Sequence, residues 1–472
     1  MVQPSTIVAV ALFPGAGNAI NNFNVAFALA TPAMAVHVLV ADLAQAKRWM
    51  ASTGQTPNPY VHLRLMANGA LSERARSPSP GVLMQLCSGK EYADAIEKSI
   101  GELRREYPDA KVTALVANAL MTATVQAKEK LRLRMFMLSP TPMYLGRLAS
   151  GPENIPGADP DTIVRVEGIA GLNGGIDFKL EDCIDICGPM WYNMIKPAFD
   201  HFDGFIVSNT NAGLEGKQES AFANKEIVIG PLLPEWFINI LDTEYRATME
   251  ARADSIIDED GVLDFLDRQK NKSTVYVALG SHADFSIEQA QWIINALEEL
   301  KVPYVFLHRE NTKGLRNAVG GNTNGIITSW APQLEVLAHP AINFAISHGG
   351  FGTMIEGIIG GGIPFITCPV ASDQFMDTKV MGFVGMLLGC IGINKRRGQA
   401  ERKDAYPFMH GDNGETVRGL LHDLLASPEG SRRIEAARSA SLDLRRKILR
   451  VKETEVPKAL EHLRSVMAQT YS

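Results

Sequence analysis

WAPQLEVLAHPAINFAISHGGFGTMIEGIIGGGIPFITCPVASDQ, residues 330–374, is the stretch whose reading decides the fold. Ala341 to Ile346 is a short apolar run with the pattern of a buried strand. His348, Gly349 and Gly350 break it, and Gly352 and Thr353 lead into a helix. A strand that stops at glycines and hands over to a helix N-terminus presents free backbone N–H groups and the positive end of the helix dipole, which together make an anion site. Glycine lets a phosphate approach the backbone, and the Thr353 hydroxyl adds a donor. Glu356 lies one turn further in, where a carboxylate can accept from a pair of sugar hydroxyls. Trp330 offers a flat face for a nucleobase ahead of the strand. Asp373 and Gln374 follow the next predicted strand, Ile363 to Pro369, with acceptors and donors for a hexose. Base, phosphate and sugar groups thus appear in linear order. Each residue also has a plainer role: Trp330 as a core aromatic, His348 as a donor at a helix N-terminus, Asp373 as a cap. Jointly those plainer roles account poorly for so ordered a set.

A Gly-rich turn from strand to helix is by itself common in α/β proteins, so specificity rests on the flanks. The fixed spacings are W-A-P-Q, then H-P-A, then H-x-G with Thr353 and Glu356, then G-x-P, then P-x-x-x-D-Q. This pattern resembles the signature of family 1, the UDP-sugar-dependent glycosyltransferases. The resemblance implies that Trp330, Ala331, Gln333, His348, Gly350, Gly352, Thr353, Glu356, Asp373 and Gln374 together serve a UDP-sugar. Ser281, closing VYVALGS at 275–281, resembles the loop that meets the phosphates. LDFLDRQ at 263–269 and DGFIVSNTNAGLE at 203–215 are similar to family segments as well. Two departures stand out. Gly352 occupies a position where plant members usually carry asparagine, and Gly360-Gly361-Gly362 adds a residue to the usual spacing before Pro364.

What the resemblance implies for the fold is GT-B: two facing, doubly wound, Rossmann-like α/β domains with a cleft between them. Residues 1–234 are expected to hold the acceptor, 235–262 to form a mixed-charge linker, and 263–450 to hold the UDP-sugar. Residues 451–472 read as a helical tail that packs back on the N-terminal domain. The apolar runs agree with a β/α alternation. Thr6 to Leu12, Ala35 to Ala41, Val82 to Leu86, Lys111 to Ala117, Met135 to Leu138 and Gly204 to Ser208 read as strands. Asn22 to Leu29, Glu91 to Tyr107, Thr122 to Leu131 and Met190 to Phe202 read as helices. Residues 150–180 read as a surface loop, and Ile227 to Pro234 as a strand. In the second half, Thr274 to Leu279, Tyr304 to His308 and Gly325 to Thr328 read as strands and Ile287 to Leu300 as a helix. PGAGNAIN after the first strand does not complete a G-x-G-x-x-G dinucleotide fingerprint.

Composition narrows the class. The 472 residues suffice for two α/β domains. With 46 Lys and Arg against 52 Asp and Glu, the net charge of −6 offers no basic surplus for nucleic acid or an anionic membrane. The five cysteines complete neither a disulfide framework nor a metal cluster; Cys183 and Cys187 lack a second pair. Reduced thiols in a cytoplasmic protein are the expectation. Ile7 to Phe13 lacks the basic flank of a signal peptide and reads as a strand. The absence of a long apolar run predicts no membrane span.

The resemblance brings one conflict. The family's transfer chemistry uses a histidine after the first strand as base toward the acceptor hydroxyl, with an aspartate after the Lys111–Ala117 strand to orient it. Here the first context reads Phe13-Pro14-Gly15-Ala16-Gly17-Asn18, and the second Val116-Ala117-Asn118. Asn18 and Asn118 thus stand at the two dyad positions. An asparagine amide donates and accepts hydrogen bonds but takes no proton near neutral pH, and loss of a general base commonly costs about two to four orders of magnitude in rate. The paired change is self-consistent, since a lone aspartate would have no histidine to stabilise. The pair either packs and hydrogen-bonds, or positions a substrate that needs no histidine base. Three explanations stay open: an acidic or activated acceptor, a different base (His37 and His201 are available but have structural readings), or a scaffold repurposed for cyclisation, isomerisation or lyase chemistry on a hydrophobic substrate. A ligand-binding protein without catalysis is the remaining alternative. The expectation is inverting hexosyl transfer, glucose the favoured sugar, to a small hydrophobic acceptor. Neither metal nor other cofactor is expected, with the UDP-sugar as co-substrate.

Overall fold

The computed structural model describes residues 4–12, 16–66, 89–118, 123–139, 147–148, 153–155, 157–159, 162–169, 175–180, 196, 201–216, 223–280, 284–320, 324–370, 373–392 and 413–471. The chain forms two compact units. One comprises Met1–Val166, Lys179–Pro234 and Ile448–Ser472; the other comprises Glu167–Phe178 and Glu235–Lys447.

In the first unit, continuous apolar runs become buried parallel strands. β1 (Thr6–Ala11), β2 (Met34–Val40), β3 (Val61–Leu65), β4 (Lys111–Asn118) and β5 (Arg134–Ser139) come first in the chain. The short strand β6 (Ile163–Val166) follows, then β7 (Ile176–Lys179), of which all but Lys179 belongs to the second unit, and then β8 (Gly204–Val207) and β9 (Glu226–Val228) of the first. Seven of them form one sheet in the order β3-β2-β1-β4-β5-β8-β9. Residues on one face, among them Val8, Val10, Val36 and Val116, pack with Phe23 and Ala26 of the Ala16–Leu29 helix. On the other face Ile7, Leu39 and Leu115 pack with Ile96, Ile100 and Leu103 of the Lys90–Glu106 helix. Burial on both faces explains why these strands read as unbroken apolar runs.

The second unit repeats the logic. β10 (Thr274–Ala278), β11 (Tyr304–Leu307), β12 (Gly325–Thr328), β13 (Ile342–Ser347), β14 (Phe365–Thr367) and β15 (Leu387–Cys390) form a six-stranded sheet in the order β12-β11-β10-β13-β14-β15. All of its neighbours pair in parallel. Val275 and Val277 meet Ile293, Ile294 and Leu297 of the Ile287–Glu299 helix. That helix starts at a reciprocal capping box between Ser286 and Gln289, which satisfies two otherwise orphaned N–H groups.

Both sheets share one topological feature. The chain winds outward from the first strand, then crosses back to lay the fourth on that strand's other side. This puts a switch point between β1 and β4 in the first sheet and between β10 and β13 in the second, and ligands of open α/β sheets bind at such points.

Several expectations need correction. Residues 150–180 are not all loop: β6 and β7 lie there, with Val164, Val166, Ile176 and Phe178 buried. Residues 235–262, expected as a mixed-charge linker, carry secondary structure. Helices Glu235–Ile238 and Tyr245–Glu250 form there, anchored by buried Phe237, Ile238 and Ile240 within the second unit. The strand expected over 227–234 ends at Val228, because Pro231 and Pro234 cannot donate to a ladder. β3 and β15 were not anticipated. The strand expected at 82–86 lies outside the described residues, as does most of the helix expected at 190–202. The C-terminal helix is longer than expected, running Pro428–Ala468 over 41 residues. Its last part places Val456, Leu463 and Met467 in the first unit's core. Arg464 there donates to the carbonyls of Ala28 and Leu29, the open end of the Ala16–Leu29 helix.

Candidate functional site

The residues singled out at 330–374 follow the carbonyl ends of β12, β13 and β14. After β13 the chain turns through His348, Gly349 and Gly350 into the Phe351–Gly361 helix, with Gly350 as its N-cap. Gly349 has φ +78°, in the left-handed region, and a Cβ there would stand 2.8 Å from Thr378 Oγ1. Gly350 offers no side-chain cap, and the first turn has no acidic residue, so no cap neutralises this helix end. Thr353 is buried in that first turn. A Cβ on Gly352 would meet nothing within 4 Å, so its position opens onto free space.

His348 sits at the switch point itself. Its imidazole lies between two glycines from different connections. A Cβ on Gly280, which follows β10, would stand 2.5 Å from His348 Cε1, and a Cβ on Gly350 would stand 2.3 Å from Nε2. No larger residue at either place leaves the ring where it is. Ser347 Oγ lies 3.3 Å from His348 Nδ1. Ser281, the expected phosphate-loop residue after Gly280, lies outside the described residues.

Trp330 follows β12 and is half-buried. Its backbone is tied to the Thr328 hydroxyl, which accepts from Trp330 N at 3.2 Å and donates to Trp330 O at 2.7 Å. The indole Nε1 is buried without a hydrogen-bond partner. Ala331 and Pro332 are buried, and Pro332 is the N-cap of the Gln333–Ala338 helix. From the first turn of that helix, Gln333 Nε2 donates to Glu356 Oε2 at 2.5 Å. Burial pushes the Glu356 carboxyl up to about 7; the Gln333 hydrogen bond opposes that rise, and the charge of Glu335 adds to it. Glu335 is itself paired with Arg252 at 2.9 Å, and Arg252 stacks on the Trp236 ring at 3.7 Å.

Asp373 and Gln374 start the helix Gln374–Phe383 after β14. Asp373 holds the N-cap position but makes no capping hydrogen bond, so the plain role of a cap does not describe its carboxylate. Gln374 Oε1 accepts from Val370 N at 2.8 Å, which braces the turn between β14 and this helix.

Three contributors escaped the sequence reading. Tyr276, in the middle of β10, is buried and its hydroxyl donates to Gln333 Oε1 at 3.3 Å. Its only signal in the sequence was a polar-tipped aromatic within VYVAL. Arg438 and Arg445 brace the far end of the Phe351–Gly361 helix. Arg445 Nε donates to Ile359 O at 2.9 Å, and Arg438 donates to Gly361 O at 3.4 Å and to Asn343 O. The glycines at 360–362 also have a physical reason. A Cβ at Gly360 would stand 2.6 Å from Phe237 Cζ, one at Gly361 2.9 Å from Leu337 O, and one at Gly362 2.6 Å from Leu442. Gly362, at φ +60°, ends the helix in the left-handed region.

In the first unit, Asn118 is the last residue of β4 and is buried, and Asn18 lies in the first turn of the Ala16–Leu29 helix after β1. The two backbone positions flank the switch point between β1 and β4; the Asn18 side chain lies outside the described residues. The helix expected from Asn22 begins earlier, at Ala16, and so includes Asn18. At the same strand end, Tyr92 OH donates to Leu12 O at 2.7 Å. Among the described residues no group of three or more His, Cys, Asp and Glu is placed to hold a metal ion, and no helix is long and apolar enough to cross a membrane.

Comparison with known proteins bears on the fold and on residues 245–391. Residues 245–391 match the family model for UDP-glucoronosyl and UDP-glucosyl transferases. Anthocyanidin 3-O-glucosyltransferase 2 of Fragaria ananassa is 31% identical over 188 residues, covering 39% of this chain and 40% of that protein. Anthocyanidin 3-O-glucosyltransferase 7 of Manihot esculenta is 34% identical over 191 residues, 40% of this chain and 58% of that protein. The chain thus spans about two fifths to three fifths of the length of these relatives. Among solved structures, a UDP-glucosyltransferase from Polygonum tinctorium capable of glucosylating indoxyl superposes with TM-score 0.70 at 18% identity, covering 100% of both chains. Phytolacca americana UGT2 complexed with UDP-2fluoro-glucose and pterostilbene superposes with TM-score 0.69 at 18% identity, over 98% of this chain and 100% of that one. The fold is therefore the α/β GT-B class of those UDP-glycosyltransferases, and the family match belongs to residues 245–391, the stretch that carries His348 and its neighbours.

Proposed function

We propose that this protein is a UDP-sugar-dependent, inverting glycosyltransferase acting on a small hydrophobic acceptor, with glucose as the favoured sugar. The observation that carries the reading is that Trp330, then His348 and Glu356, then Asp373 lie on three successive connections leaving the carbonyl ends of β12, β13 and β14 in one parallel sheet whose switch point falls between β10 and β13. In this reading uracil stacks on Trp330 and the ribose hydroxyls donate to the Glu356 carboxylate. The diphosphate sits at the N-terminus of the Phe351–Gly361 helix beside His348, and the hexose meets Asp373 and Gln374. The helix N–H groups and the imidazole stabilise the charge on the departing diphosphate, with no step that requires a metal. The acceptor lies against the first unit's switch point, near Asn18 and Asn118. The cytoplasm is the expected compartment.

The two amides favour one further reading, in which a UDP-sugar fold serves a reaction other than sugar transfer. One experiment separates them: the double change Asn18→His with Asn118→Asp, assayed with UDP-glucose and a panel of simple phenols. A transferase lacking only a histidine base gains O-glucosylation by about two to four orders of magnitude. No gain, together with absence of UDP-glucose binding, supports the repurposed scaffold instead.

A further inference from the structure

Three side chains from three elements form a hydrogen-bonded chain inside the second unit. Tyr276 comes from β10, Gln333 from the Gln333–Ala338 helix and Glu356 from the Phe351–Gly361 helix. Tyr276 OH lies 3.3 Å from Gln333 Oε1, and Gln333 Nε2 lies 2.5 Å from Glu356 Oε2. The direction of this chain follows from chemistry. Burial holds the Tyr276 phenol above its ordinary value, so it keeps its proton and donates. Gln333 must then present its carbonyl oxygen to Tyr276 and its amide N–H to Glu356. With the amide reversed, a carbonyl oxygen would face the carboxylate, an arrangement tolerable only when Glu356 is protonated.

We propose that Tyr276 is a positioning residue of the donor site: its hydroxyl fixes the orientation of the Gln333 amide and so keeps Glu356 an ionised acceptor for the donor's sugar hydroxyls. The inference rests on the donor reading given above and adds the residue that sets its working pH range. The electrostatic setting is simple. Charged groups on the elements packed against the Glu356 helix include Glu235, Asp242, Arg252, Glu335, Arg438 and Arg445. Among these described groups Glu335 is the one whose charge acts on Glu356, and Glu335 is itself paired with Arg252. The charges of Glu356 and Arg309 both act on the phenol, the first raising its pKa and the second lowering it. The ionised form of Glu356 therefore depends mainly on Gln333, the one described hydrogen bond that favours it.

The test is a calorimetric titration of UDP-glucose from pH 5.5 to 8.5 into the wild-type chain, Tyr276→Phe, Gln333→Leu and the double variant. UDP-glucose has no phosphate that titrates in this range, and differences between variants cancel titrations common to all. Wild-type affinity is expected to fall as pH drops through about 7. Tyr276→Phe should move that midpoint upward by about half a pH unit or more, weakening binding about twofold at neutral pH and about threefold near pH 5.5, with little change in alkaline solution. Gln333→Leu should move it at least as far, and adding Tyr276→Phe to Gln333→Leu should change nothing further, since the tyrosine acts through the amide. A midpoint unmoved by Tyr276→Phe, with thermal melting showing the variant folded, overturns the inference. A full additional shift in the Gln333→Leu background also overturns it. Wild-type affinity without pH dependence would sink the relay while leaving the donor site standing. No binding of UDP-glucose at any pH would overturn the donor reading and the relay together.

Discussion

Burial of Glu356 makes one residue a source of pH dependence for folding as well as for binding. Its carboxyl is held at about 7 in the folded chain against 4.5 ordinarily. The folded state thus binds this proton more tightly than the unfolded state. The associated stability is fully present below pH 4.5 and is lost as pH rises through about 7. Glu356→Gln removes that loss. At pH 8 the variant should be more stable than wild type by about 1–3 kcal/mol, with the difference vanishing near pH 4, while UDP-glucose affinity falls about tenfold from loss of a charged hydrogen bond. Urea denaturation at the two pH values checks the first part and calorimetry the second. Equal stability at both would show that Glu356 is hydrated in the folded chain. At this scale the sequence was legible where spacing marks a candidate site: Trp330, Gln333, His348 and Glu356 lie within 27 residues in a fixed order. Tyr276 was not legible, because its role depends on an amide 57 positions away that only the β10–β13 pairing brings near. The tight fit of His348 between Gly280 and Gly350 was hidden for the same reason.

The Phe351–Gly361 helix is the element on which the proposed donor site turns, and it is held at both ends by unlike means. Its N-terminus follows Gly349 and Gly350 and carries no cap; its C-terminus closes on glycines that admit Phe237, Leu337 and Leu442 at contact distance. Arg438 and Arg445, seven residues apart on one face of the Pro428–Ala468 helix, donate to the carbonyls left open there. Arg445 also reaches Ile238 O at 2.5 Å. Arg445→Met leaves two buried carbonyls without a donor while keeping much of the apolar stem. It should cost about 1–3 kcal/mol in denaturant unfolding, whereas Arg446→Met on the exposed face should cost under about 0.5 kcal/mol. Elements buried on both faces were legible as unbroken apolar runs, such as β1, β4, β10 and β13. β3, VHLRL, was not, because it lies at the sheet edge and is only half-buried, so His62 and Arg64 interrupt its pattern. β6 carries a short alternation, with Val164 and Val166 buried and Ile163 exposed, too brief to stand out among the glycines and prolines around it.

For the molecule as a whole, each unit has its own sheet, core and switch point, and the chain ends by returning residues 448–472 to the unit in which it began. The apolar runs announced the alternation of strands and helices, and the tail was expected to pack back on the first domain, but the residues that carry this return were not legible. Leu463 and Met467 are ordinary apolar positions of an amphipathic helix until the first unit's core is seen around them. The account assigns the sugar nucleotide to the second unit and the acceptor to the first, and the first of these claims bears all the rest. Its most direct test is calorimetric titration of UDP into the wild-type chain and into Trp330→Ala and His348→Ala. The account predicts metal-independent binding of UDP to wild type, and about tenfold or greater weakening in each variant, from loss of the stacking face and of a donor to phosphate. Unchanged affinity in both variants, or no binding of UDP to the wild-type chain, would contradict it.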